Sequence, residues 1–161
     1  MNVVSDTGPL IALAKVEHLD LLRHLFAQVQ IPPAVQAELL AKTGPEGARL
    51  EEALVRFVKV KAVHDPPPGV RAAVARLGRG EQQAVVLAHE LEATLLMDDR
   101  LGRAAAHRLG LPVTGLAGIL IRAKEKGLLD AVRPLLEGIR SEGYWLSDAL
   151  LAAAARMAGE T

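Results

Sequence analysis

The sequence predicts an α/β fold, an open sheet of three or four short buried strands with helices on both faces. Short apolar runs such as NVVS at the start alternate with amphipathic stretches, as in parallel strands joined by helical crossovers. Alanine and leucine number 27 each, which favours closely packed helices, and aromatics make up only 2% of the chain, too few for an aromatic-rich sandwich. At 161 residues the length is that of one domain, so 1–161 is expected to form a single unit. Its core should cover about 1–126, followed by a helical extension over about 127–161.

The elements follow from local chemistry. Asn2–Ser5 is the first strand, and Thr7-Gly8-Pro9 opens a helix to about Val16, since proline is tolerated in a first turn. Leu19–Phe26 places Leu19, Leu22 and Leu25 on one helical side. Val29–Ile31 is a strand stopped by Pro32-Pro33, and a helix follows over Ala34–Lys42. After a turn at Gly44–Gly47 come a helix, Ala48–Phe57, and a strand, Val58–Val63. The stretch His64–Gly69, HDPPPG, reads as a stiff surface loop, because neither side is large enough to stand alone. A helix at Val70–Leu77 leads through Gly78-Arg79-Gly80 into a strong helix, Glu81–Glu92. Thr94–Met97 is a strand, Asp98–Leu109 a helix and Leu111–Val113 a short strand. Helices over Leu116–Lys126, Leu129–Ser141 and Ser147–Ala158 finish the chain.

Composition excludes several classes. Lysine plus arginine equals aspartate plus glutamate, 19 each, which rules out a strongly basic nucleic-acid coat and an acidic disordered tail. The absence of cysteine excludes disulfides, thiolate zinc sites and a thiol nucleophile. MNVVSDTG lacks the charged start of a signal peptide and no apolar run is long enough to span a membrane, so a cytoplasmic address is expected. Arginine outnumbers lysine 13 to 6 and Asn2 is the single asparagine, a lean toward a heat-adapted (thermophile) source.

The acids carry the functional signal. In open α/β sheets, ligands sit outside the carboxyl ends of strands where the strand order reverses. Asp6 follows the first strand directly, and Asp98 and Asp99 follow Thr94–Met97. Each of Asp6 and Asp98 is equally readable as a helix N-cap. Two glutamates tip the balance. Glu81 is in register with Ala84, Ala88 and Leu91, and Glu38 lies three residues after Val35, beside the inward side of its helix. Unpaired inward carboxylates are costly to ionise and call for a partner or a cation. Oxygen donors without His or Cys suit Mg2+ or Mn2+, and such a centre supports phosphodiester hydrolysis.

The segments VSDTGPLIALAKVEHLDLL, IPPAVQAELL, LGRGEQQAVVLA, TLLMDDRLGRAAAHRLGLPVTGLAGIL and GYWLSDALL together resemble PIN-domain proteins, specifically the prokaryotic branch related to VapC-type toxins. The resemblance spans nearly the whole chain. It implies a three-layer αβα sandwich with a short, mostly parallel central sheet of four to five strands and extra C-terminal helices. It implies a ribonuclease using Mg2+ or Mn2+, the toxin of a toxin–antitoxin pair, with Asp6, Glu38, Glu81 and Asp98 as the catalytic acids. Asp6, Glu81, Asp98 and Asp99 are the candidate metal ligands. The doublet leaves Asp98 and Asp99 unresolved, with Asp98 favoured because it directly ends the strand. The alternative is a catalytically silent PIN-like module that binds RNA or protein without cutting.

Substrate-binding candidates surround these acids. Thr7 matches the hydroxyl that often follows the first acid. Arg100, Arg103 and His107 recur on one side of their helix, away from Leu101, Ala104 and Ala105, and Arg79 precedes the Glu81 helix. Thr114 ends a strand before Gly115. Each has an ordinary alternative as a solvated or capping residue. SDTG also matches the Asp-Thr-Gly of aspartic proteases, but here it opens an apolar helix, and GRGEQQ lacks the lysine of a P-loop. A phosphoacceptor receiver would want its acidic pair after the first strand, the reverse of this order. Leu150, Leu151 and Ala152–Ala155, with Tyr144 and Trp145, are apolar enough that a second copy or an antitoxin-like partner is expected to cover part of them. Setting the five candidate acids aside leaves 14 acids against 19 bases, a mildly basic surround compatible with RNA.

Overall fold

A computed structural model describes residues 1–160, so the expected domain end at 161 lies outside the described residues. The order is β1 (Asn2–Ser5), α1 (Thr7–Lys15), α2 (Asp20–Leu25), β2 (Gln28–Ile31), α3 (Pro33–Leu40), α4 (Pro45–Arg56) and β3 (Val58–Val60). It continues with α5 (Pro68–Val74), α6 (Arg79–Leu91), β4 (Thr94–Leu96), α7 (Arg100–Arg108), β5 (Val113–Thr114), α8 (Leu116–Glu125), α9 (Arg133–Ser141) and α10 (Asp148–Met157). The five strands form one parallel sheet in the order β3-β2-β1-β4-β5.

Alternation along the strands builds two cores. Val3 and Leu96 face one side, where α1, α2, α4 and the C-terminal helices pack. Val4, Leu95 and Met97 face the other, against α5, α6 and α7. The result is the three-layer sandwich expected from the resemblance, with all five strands parallel. The C-terminal helices belong to the first core, since Val132, Leu136, Ile139, Leu146, Leu151 and Ala154 are buried in it.

Several boundaries differ from the sequence reading, each for a local reason. The strand expected to reach Val63 ends at Val60, because β2 stops at Ile31 before the proline pair and leaves later residues little to pair with. The helix expected from Ala48 begins at Pro45, with Gly44 at the cap, so the anticipated turn is its first turn. Gly-Arg-Gly is a helix start, with Gly78 as cap and Gly80 inside α6. The helix expected from Leu129 starts at Arg133, since Pro134 has no N–H to donate back to Asp130. The last strand shifts to Val113–Thr114, where Met97 N–H bonds the Thr114 carbonyl at 3.0 Å. Among the described residues no helix is long and apolar enough to cross a membrane.

The end of the chain clasps the start of α9. Glu160 accepts from the Val132 and Arg133 amides at 2.7 and 2.9 Å and from Lys124 Nζ at 2.9 Å. The Val132 amide, then Lys124 and the Arg133 amide, pull its pKa down to about 2. A carboxyl with a depressed folded pKa stabilises fully above its ordinary value near 4.5, and that contribution disappears as the pH falls toward 2. Glu160→Ala should therefore speed hydrogen exchange at the Val132 and Arg133 amides at neutral pH, with little difference from the parent protein below about pH 2.

Candidate functional site

The sheet reverses its order at β1, which has β2 on one side and β4 on the other. Ser5 is in register with Leu96, and the Asp6 amide donates to the Leu96 carbonyl at 3.0 Å. Parallel pairing thus brings Asp6 and the Asp98-Asp99 doublet to the same carboxyl edge, at the switch point.

Asp6 is buried, only 7% exposed, and sits at the N-cap position of α1 without a side-chain cap bond. Burial raises its pKa to about 7, and the charges of Glu81, Glu38 and Asp99 add to the rise against the lowering effect of the Thr7 amide. These four acids therefore share one field. Glu81 stands in the first turn of α6, which suits a carboxylate. Glu38 reaches the cluster from α3, although its side chain is exposed rather than on the inward side expected from spacing. The tie between the two helices includes Gln83 Oε1, which accepts from the Ala34 amide at 2.9 Å.

The doublet divides. Asp99 is exposed and caps α7 by accepting from the Gly102 amide at 2.8 Å, so the helix begins after both acids instead of at Asp98. Asp98 accepts from the Leu116 amide at 3.2 and 3.3 Å and from the Tyr144 hydroxyl at 2.6 Å. Of the doublet, Asp99 adds its charge to the rise at Asp6. Burial, then the Asp98 charge, pushes the Tyr144 phenol well above its ordinary range, so it remains a hydrogen-bond donor.

The basic candidates are spread around the rim. Arg79 and Arg100 are exposed and make no ion pair among the described residues. Arg103 is half-buried and donates to the Met97 carbonyl at 2.8 Å, which anchors the end of β4. It lines a groove of about 500 Å³ with Asp98, Thr114, Leu150 and Met157. The inward face of α7 is Gly102, Ala105 and Ala106, whereas Leu101 and Ala104 face solvent, so the expected apolar side of that helix is turned by one residue.

Two kinds of residue escaped the sequence reading. One is Tyr144, which the sequence marks only as an aromatic of a partner-facing surface. The other is glycine. A Cβ on Gly80 would collide with Glu38 Oε1, one on Gly115 with Asp98 Oδ1, and one on Gly78 would lie 2.6 Å from Glu81 Oε2. The repeated glycine of GRGE was the available signal.

The donors suit a hard divalent cation in kind, being carboxylate oxygens with the Thr7 hydroxyl beside them, buried and without a hydrogen-bond partner among the described residues. Among the described residues, no three acidic or histidine side chains stand close enough to grip a metal as they are, so the carboxylates would have to draw in.

This fold with acids at its switch point defines a class. The chain belongs to the PIN-domain family, whose model matches residues 2–160, and PIN domains are generally nucleases. No curated protein matches the chain. Among solved structures it is similar to a PilT N-terminus domain protein from the hyperthermophilic archaeon Sulfolobus solfataricus P2. The two are 22% identical with a TM-score of 0.56, over 76% of this chain and 93% of that one. A protein of Pyrobaculum aerophilum is 21% identical with a TM-score of 0.53, over 78% and 99%. VapBC2 from Rickettsia felis, bound to a DNA fragment from its promoter, is 13% identical with a TM-score of 0.49, over 71% and 98%. At these identities the first two likenesses bear on the fold.

Two outcomes follow from the geometry. Gly80→Ala should keep the fold and add helix stability of about 0.5–1 kcal/mol, yet displace the Glu38 carboxylate; a crystal structure of the variant reads the displacement. Asp6 has a folded pKa above its ordinary 3.8, so its ionisation opposes folding. That penalty is absent below about pH 4 and complete above about pH 7. Urea unfolding in chelator should show Asp6→Asn more stable than the parent at pH 8, by an order of 2–4 kcal/mol, and level with it near pH 4.

Proposed function

We propose that the chain is a ribonuclease that hydrolyses RNA phosphodiesters with Mg2+ or Mn2+. What supports this reading is that the reversal of strand order puts Asp6 and the Asp98-Asp99 doublet at one sheet edge, where buried Asp6 lies in the field of Glu81, Glu38 and Asp99. Asp6, Glu81 and Asp99 would hold the cation, with Glu38 and Asp98 completing the oxygen set. When bound, the cation supplies positive charge that activates water and offsets charge on the leaving oxygen. Burial, and then the charges of Glu81, Glu38 and Asp99, favour a proton on Asp6 near neutral pH.

The chain's other groups bind and orient. The free Thr7 hydroxyl would orient water or an acid beside Asp6. Arg79 and Arg100, exposed at the starts of α6 and α7, would attract phosphates. Arg103 and Thr114 line the groove beyond Asp98, where they would steady the strand. On the motifs SDTG, GRGEQQA and LLMDDR the finer reading is a VapC-like toxin. Its partner would be an antitoxin protein, a second copy of the chain, or both, and exposed Trp145, Leu150 and Met157 offer apolar surface for one.

The test is cleavage of single-stranded RNA by the purified chain with Mn2+ or Mg2+. Asp6→Asn should lower the rate by roughly a hundredfold or more while circular dichroism stays unchanged. Millimolar Mn2+ should raise the melting temperature of the parent protein. Cleavage that survives Asp6→Asn, or never appears with either metal, overturns the reading, and RNA bound but uncut points to the silent module.

A further inference from the structure

The segment between α9 and α10 crosses the acid site. Gly143 turns with φ +102°, which a side chain rarely permits, and delivers Tyr144 over the start of α1. The Tyr144 ring lies 3.5 Å from where a Cβ on Gly8 would be, and Gly8 is two residues beyond Asp6. Its hydroxyl reaches Asp98 Oδ2 at 2.6 Å, a short bond to a carboxylate. The same carboxylate accepts from the Leu116 amide, the first residue of α8. Asp98 is therefore held from two directions by groups 18 and 46 residues away in sequence. Among the described residues, Asp99 accepts only from the local Gly102 amide.

We propose that Tyr144 is a positioning residue of the acid site. Its hydroxyl fixes the Asp98 carboxylate against the Leu116 amide, so the segment joining α9 and α10 is part of the site. A carboxylate held in one orientation loses little freedom when a cation draws on it, and groups that orient ligands in this way govern metal affinity strongly. The role toward the cation rests on the metal-dependent reading above, while the orientation of Asp98 does not.

Tyr144→Phe removes the hydroxyl and keeps the ring on Gly8. Mn2+ affinity of the intact chain, read by electron paramagnetic resonance, should fall roughly tenfold in this variant with the thermal melt little changed. Asp98→Asn should weaken Mn2+ as well, and adding Tyr144→Phe to it should cost nothing further, because Tyr144 acts through Asp98. In chelator, the Leu116 amide should exchange faster in Tyr144→Phe, read by NMR. Equal Mn2+ affinity in Tyr144→Phe and parent, additive losses in the double variant, or an unaltered Leu116 amide each overturn the proposal. A parent protein that takes up no Mn2+ while the Leu116 amide still responds overturns the metal-dependent reading and leaves the positioning of Asp98 standing.

Discussion

The parallel pairing of β1 with β4 is the constraint on which the site depends. Both strands end at the same edge because their register sets Ser5 beside Leu96, and the first acid is bonded through its own amide to the neighbouring strand. A one-residue slip would send Val4 and Leu95 to the wrong core and turn the doublet away from Asp6. The two buried faces of the sheet therefore hold the acids in place more firmly than any contact among the acids does. The acids themselves repel, and the burial that raises Asp6 adds to the cost.

That cost is tolerated because backbone and glycine make room. Gly80 sits where α6 passes Glu38, and Gly78 and Gly115 leave space for Glu81 and Asp98. Helix α3 is tied to α6 by an amide-to-glutamine bond, without an ion pair between the described residues of the two helices. The carboxylates are thus positioned by neutral scaffolding, the arrangement expected where charges must be close without attracting each other. A positive charge arriving among them would change the balance from repulsion to attraction.

The C-terminal arm joins the fold at both of its ends. Glu160 caps the amides at the start of α9, and Tyr144 touches the acid site at the other end of the same helix. Between them Leu136 and Ile139 are buried in the main core. Much of the extension whose apolar surface the sequence assigns in part to a partner is internal. Leu151, Ala154 and Ala155 are buried, and among the described residues of the extension the large apolar side chains left exposed are Leu128, Trp145, Leu150 and Met157.

The sequence by itself determined the class of fold and four of the elements at the site, because alternation, proline stops and capping glycines act over a few residues. It placed Asp6 and the doublet at strand ends, and it singled out Glu38 and Glu81. It erred at Glu38, whose inward position was inferred from helical period, since exposure depends on what lies across the helix and not on the helix alone. Strand order, the division of labour between Asp98 and Asp99, the glycine beside Glu38 and the reach of Tyr144 were decided only by the tertiary structure. Each joins groups far apart in the chain, and nothing local to Asp98 records a hydroxyl arriving from 46 residues away.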